Sequence, residues 1–180
     1  MKLELLLLDR DGVINADSPN YIKSPEEWIA LPGALEAIVR LQQHVRVAVC
    51  TNQSGVGRGL FDEAILAEIH DKMNSGIESL GGQAVDVFYC PHRPDIGCNC
   101  RKPAPGLLLA AMGAYQTNAA CTVYVGDSEK DLLAAMQAQC RSVLVLTGNG
   151  GATLNAPAAG QADRISRSLA TVPDDLGLPL

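Results

Sequence analysis

Two aspartates two residues apart, Asp9 and Asp11, follow directly on the apolar run Leu5-Leu6-Leu7-Leu8. Where extended geometry continues past such a run, side chains two residues apart point the same way. Two crowded carboxylates both stay ionised only beside a cation, so Asp9-Arg10-Asp11-Gly12-Val13 is a candidate cation-binding pair, with Gly12 letting the backbone turn. It is equally a strand-to-loop stop in which one Asp closes an Asx-turn. A third carboxylate, Asp127, stands in Gly126-Asp127-Ser128-Glu129-Lys130-Asp131, where Ser128 and Asp131 also read as the capping box of a helix. Between them, Thr51-Asn52-Gln53-Ser54-Gly55-Val56-Gly57-Arg58-Gly59 offers a hydroxyl, amides and Gly-rich backbone, donors suited to phosphoryl oxygens. A dinucleotide fingerprint fails there on spacing, since the third glycine would fall on Leu60. A plain flexible loop is the alternative.

Cys90-Pro91-His92 and, after five residues, Cys98-Asn99-Cys100 place three thiolates and an imidazole in one tight loop. That matches a closed tetrahedral Cys₃His zinc site, structural because no ligand position is left open. Burial as small apolar groups suits Cys50, Cys121 and Cys140, but Pro, Asp, Gly and Asn surround the loop cysteines. Arg101 and Lys102 follow at once, adjacent cations whose backbone the metal loop would fix; an ordinary solvated pair is the bland alternative.

All these groups follow short apolar runs, at 3–8, 45–50, 85–90, 121–126 and 142–146, continuous enough for parallel strands buried on both faces. Helical periodicity lies between them at 32–41, 62–80, 106–115 and 129–138, and Ser24-Pro25-Glu26-Glu27 reads as a capped helix start. The alternation predicts an α/β fold, a doubly wound, mainly parallel sheet flanked by helices. The 180 residues read as one domain with a zinc loop at 90–100 and no large cap, the segment 149–180 being a tail with at most one strand near 164–165. A 47% hydrophobic content excludes disorder, and 4% aromatics make the core aliphatic. The net charge, 14 minus 20 or −6, comes without a basic run and excludes a nucleic-acid binder, though not a small phosphorylated substrate. No run is long enough for a membrane span or signal peptide. The expectation is a cytoplasmic monomer without membrane or nucleic-acid partners.

Taken in order, Asp9-Arg10-Asp11-Gly12-Val13, Thr51-Asn52, Lys102, and Gly126-Asp127 with Asp131 resemble the four motifs of the haloacid dehalogenase superfamily, over about residues 1–148. The zinc loop, Thr51-Asn52-Gln53-Ser54-Gly55 and Cys100-Arg101-Lys102-Pro103 look like the heptose bisphosphate phosphatases and the related histidinol-phosphate phosphatases. Ser54-Gly55-Val56-Gly57-Arg58-Gly59 is similar to the heptose branch, while the short gap between His92 and Cys98 resembles the histidinol branch. The heptose branch is the reading adopted, and it implies the ADP-heptose route to the lipopolysaccharide core. The resemblance implies strand order 5-4-1-2-3 and a Mg²⁺-dependent phosphomonoesterase. Asp9 would be the nucleophile and Asp11 the general acid and base, with Mg²⁺ held by Asp9, the Asp11 carbonyl and Asp127. Thr51 and Lys102 would steady the phosphoryl group. Asn52, Gln53, Ser54, Arg58 and Arg101 complete the substrate set; Ser128 stands where some heptose enzymes carry Lys. A phosphoacceptor signalling domain is the reading from a different class, set apart by motif order and the zinc loop.

Overall fold

The computed structural model describes residues 2–178, so the outermost residues of the expected 1–180 domain and 149–180 tail lie outside the described residues. Leucine is a good helix former, yet Leu5–Leu8 is a strand, β1, with all four side chains fully buried. Burying each is worth about 1.5–3 kcal/mol, whereas propensity differences amount to tenths; packing decides. Leu6 and Leu8 join one core with Val47, Val49, Val123 and Val125, while Leu5 and Leu7 join a second with Ala48, Cys50 and Tyr124. This is the period-2 division of a sheet covered on both sides.

The other strands are β2 (Arg46–Asn52), β3 (Asp86–Cys90), β4 (Thr122–Gly126), β5 (Arg141–Val145) and β6 (Arg164–Ser166). Their order is 3-2-1-4-5-6 and every pairing is parallel. The expected order 5-4-1-2-3 is therefore present, with β6 added outside β5. The core beneath one face is closed by α1 (Ala34–Gln42) and α2 (Glu63–Ser79), the other by α3 (Gly106–Ala114) and α4 (Glu129–Gln137). Asp62 caps α2 by accepting the Ile65 N–H at 2.9 Å, and Ser128 with Asp131 forms the expected capping box of α4. No helix among the described residues is long and apolar enough to cross a membrane.

Three expectations need correction. Ser24-Pro25-Glu26-Glu27 opens only a 3₁₀ turn, Pro25–Glu27, and Ser24 makes no side-chain cap. The chain leaves that turn extended at Trp28, whose side chain is buried in the core, and Ala30 then bridges Asn15, so a longer helix is pre-empted. β2 runs two residues beyond Cys50, placing Thr51 and Asn52 in the sheet beside Tyr89 and Cys90. The stretch after it is not the plain flexible loop that was the alternative, because Ser54–Gly57 forms a helical turn. A Cβ at Gly55 would strike the Phe61 ring, and one at Gly57 would strike the Pro91 carbonyl, so Gly57 lets the turn pack closely against the cysteine loop.

Candidate active site

Parallel strands deliver their loops to one edge, and the carboxyl ends of β1, β2 and β4 meet there. Asp9 leaves β1 still paired, its N–H donating to the Val125 carbonyl at 2.9 Å. Asp127 follows β4 directly, and Gly12, at φ +82, is needed where a Cβ would strike the Asp127 carboxylate. Together with Asp11, Thr51, Asn52, Gln53, Ser54, Arg101, Lys102 and Ser128, these line an open cleft of about 260 Å³.

Lys102 is the centre of charge. It is buried, and its Nζ lies 2.8 Å from Asp9 Oδ1, 2.7 Å from Asp131 Oδ1, 2.6 Å from the Tyr124 hydroxyl and 3.0 Å from the Cys50 carbonyl. Burial alone would lower its pKa, but Asp131 and Asp9 outweigh it and hold the ammonium charged. Asn52 fixes the Lys102 backbone from both sides: its Oδ1 accepts the Lys102 N–H at 3.0 Å and its Nδ2 donates to the Lys102 carbonyl at 3.1 Å. Asn52, expected to bind substrate, thus has both amide ends engaged in seating the lysine.

Asp131 Oδ1 takes Lys102 and Tyr124, and its Oδ2 takes the Ser128 N–H and hydroxyl. Burial works against its charge, yet Lys102 and these donors hold its pKa below the usual carboxylate range. Asp9 and Asp127 are the opposite case. Burial, with repulsion from neighbouring carboxylates, raises Asp9 far above that range despite Lys102, and raises Asp127 to about 6 despite donors from Asn149. One oxygen from each of Asp9, Asp127 and Asp131 fits within 4.8 Å of the others. Asp9 Oδ1 is occupied by Lys102 and the Arg10 N–H, and Asp127 Oδ2 by Asn149, so Asp9 Oδ2 and Asp127 Oδ1 have no hydrogen-bond partner among the described residues. Hard carboxylate oxygens gathered this closely in one buried pocket fit a divalent cation such as Mg²⁺.

Asp11 has a different setting. Its Oδ1 accepts from Arg10 Nε and Nη2 at 3.1 and 3.0 Å and from Asn15 Nδ2 at 2.9 Å; its Oδ2 accepts from Gln53 Nε2 at 2.8 Å. Burial would raise its pKa, but Arg10 and the amide donors prevail and lower it. Its side chain is turned toward these donors rather than into the Asp9–Asp127–Asp131 cluster. Gln53 also donates to Thr51 Oγ1 at 3.0 Å, so it aligns two neighbours.

The ligand atoms of Cys90, His92, Cys98 and Cys100 lie between 3.2 and 3.6 Å apart along the measured edges. A tetrahedron with Zn–S bonds of about 2.3 Å has edges of about 3.7 Å, so the four can hold zinc. Against a desolvation effect, N–H groups of Arg101 and Cys100 and the adjoining thiols draw Cys98 down to about 6, toward the thiolate a metal needs. The Arg101 guanidinium donates to the His92 carbonyl at 3.3 Å, so the loop holds this cation by side chain as well as by backbone. Cys98→Ala is therefore expected to lose the metal and, by slackening the approach to Arg101 and Lys102, to lower activity about a hundredfold in a folded protein. Elemental analysis beside activity checks this: one zinc per chain in the parent and none in the variant is expected, whereas a zinc-free, fully active parent contradicts it.

Arg58 is the candidate that the structure does not bring to the cleft. It is exposed at the end of the Ser54–Gly57 turn, and its charge is felt by Asp95 on the cysteine loop. In its place the cleft gains Asp17, Ser18, Tyr21, Ile22, Lys130 and Asn149. Asn149 ties Asp127 to Asp17, with contacts of 2.7 and 3.1 Å to the former and 3.1 Å to the latter.

A family model described as HAD-hydrolase-like matches residues 99–172. The chain is 49% identical over 175 residues to the D-glycero-beta-D-manno-heptose-1,7-bisphosphate 7-phosphatase of Bordetella bronchiseptica, covering 97% of this chain and 98% of that one. It is 48% identical to the Pseudomonas aeruginosa protein of the same name, over 87% and 89% of the two chains. The crystal structure of the B. bronchiseptica D,D-heptose 1,7-bisphosphate phosphatase, complexed with magnesium and phosphate, superposes with a TM-score of 0.91 over 97% of this chain and 98% of that one, at 49% identity. That of the Burkholderia thailandensis enzyme gives 0.73 at 40% identity, over 96% and 97%. With its sheet order, its cleft carboxylates and near-full-length identity of 49% all in agreement, the chain belongs to the haloacid dehalogenase-like hydrolases, in the family of the heptose-1,7-bisphosphate 7-phosphatases.

Proposed function

We propose that this protein removes the C7 phosphate of D-glycero-β-D-manno-heptose 1,7-bisphosphate through an aspartyl-phosphate on Asp9. The carrying observation is Asp9 itself, buried at the strand edge with one oxygen tied to Lys102 and the other without a partner among the described residues. Asp9, the Asp11 carbonyl and Asp127 would hold Mg²⁺, which supplies positive charge to the phosphoryl oxygens. Asp9 Oδ2 attacks phosphorus, and the bond to the C7 oxygen breaks as Asp11 gives that oxygen a proton. The incoming phosphate dianion opposes the Arg10 charge and favours the protonated Asp11 at that moment. Water then attacks the aspartyl-phosphate while Asp11 takes its proton, freeing phosphate and Asp9. Lys102 and the Thr51 hydroxyl offset the negative charge on the transferring group. β6 lies beyond residue 148 and extends the same sheet, which supports a single domain.

The distal C1 phosphate needs cations of its own. Arg101 and Lys130 line the cleft, and Lys130 has no ion pair or hydrogen bond among the described residues. Arg101→Ala is expected to raise KM for the bisphosphate about tenfold while changing that for p-nitrophenyl phosphate less than about twofold. Equal rises on both substrates would contradict that placement. Phosphate release from the heptose bisphosphate, histidinol phosphate and fructose 1,6-bisphosphate tests the substrate. The heptose ester should lead by about a hundredfold or more in kcat/KM, cleaved at C7; a faster histidinol phosphate would transfer the protein to that reaction.

A further inference from the structure

Among the described residues, Arg10 is the largest side chain with no solvent exposure. A buried guanidinium is tolerated only when its donors are paired. Nε and Nη2 go to Asp11 at 3.0–3.1 Å, and Nη1 meets Nε2 of His70 at 3.2 Å. Arginine can only donate, so His70 Nε2 accepts and the ring carries its proton on Nδ1. His70 is buried on α2, sixty residues away in sequence, with the Tyr89 ring centroid 6.0 Å from its own. Among the described contacts, the Arg10 side chain reaches Asp11 and His70 and touches neither Asp9 nor Lys102.

We propose that His70 is a positioning residue for proton transfer: by accepting Arg10 Nη1 it fixes the guanidinium plane, and through that plane the aim of the Asp11 carboxylate. This rests on Asp11 as the proton donor and acceptor. Asn15 and Gln53 each hold one oxygen of the carboxylate, and the Arg10 fork spans both, so the plane of the guanidinium is a restraint on the carboxylate's aim. Without His70 the Nη1 donor is stranded in the interior, and the guanidinium must turn to find a partner, carrying Asp11 with it. Nucleophile and phosphoryl-binding groups are left in place, so the loss depends on how much the leaving group needs a proton.

The test is the rate of phosphoenzyme formation in single-turnover mixing, with the sugar bisphosphate and with p-nitrophenyl phosphate, whose leaving group departs without protonation. His70→Leu should slow the sugar reaction about 10- to 100-fold and the nitrophenyl reaction less than about threefold. His70→Gln, whose amide oxygen can occupy the Nε2 position, should restore most of the sugar rate. His70→Asn, whose amide stops short of Arg10, gives the leucine result should that variant fail to fold. Equal slowing on both substrates, or parental rates on both, overturns the proposal. Asp11→Asn run in parallel separates the two levels: if it lacks the leaving-group signature, the role of Asp11 falls, whereas its signature without one in the His70 variants removes His70 alone.

Discussion

Asp9→Asn is expected to yield a folded protein without measurable turnover, a loss of about 10⁴-fold or more. An amide is neither an adequate nucleophile for phosphorus nor an anionic metal ligand. The same substitution should not weaken the fold. Burial, together with the carboxylates of Asp131 and Asp127, raises the pKa of Asp9 against the pull of Lys102, so its surroundings oppose the ionised form. Removing that charge leaves Lys102 paired with Asp131 at 2.7 Å. Thermal unfolding without added metal should therefore show an unchanged or higher midpoint, the pattern of a site in which function and stability compete. A variant that is inactive because it is unfolded, or one that is folded and active, contradicts this.

Lys102→Met should damage both properties. The ammonium is shared by Asp9 and Asp131, both buried, and its removal strands two carboxylates in the interior. Breaking a buried pair by deleting one partner costs about 3–5 kcal/mol, a fall in midpoint of roughly 6–20 °C for a chain of this size. Losing a preorganised donor to the transferring group costs about 10²–10³-fold in kcat. Adding Asp131→Asn to Lys102→Met should recover part of the midpoint and none of the rate. Activity that returns together with stability would mean that the lysine acts only as a structural counter-charge.

Much of this arrangement is legible in the sequence, because in a parallel sheet covered on both faces each strand is a continuous apolar run that stops where the polar edge begins. Asp9 after Leu8 and Asp127 after Gly126 could be placed at one edge from that alone, and the cysteine loop follows from ligand type and spacing. What escapes is direction. Arg58 carries the right chemistry, but the helical turn before it sends it outward toward Asp95. Asn52 and Gln53 were legible as amides, yet only tertiary contacts reveal that they seat Lys102 and align Asp11. Tyr124 reads as an ordinary strand residue until register with Leu7 and the position of Cys50 bring its hydroxyl to Lys102. His70 lies in a helical pattern whose other buried members are apolar, and nothing local links it to Arg10. Asn149 falls in the tail 149–180, which carries no motif, although its backbone and side chain both hold Asp127. The shared cause is that partners supplied by distant strands or helices leave no spacing to read.

The phosphoryl group is expected to pass through Asp9. Asp11→Asn mixed with p-nitrophenyl phosphate should accumulate the acyl phosphate, because the departing nitrophenolate needs no proton while the attack of water has lost its base. Acid quenching, borohydride reduction and peptide mass spectrometry then identify the residue. Conversion of Asp9 to homoserine, absent without substrate and absent in Asp9→Asn, is the predicted result. Label on any other residue, or none while p-nitrophenol is released in a burst equal to the enzyme present, would contradict it.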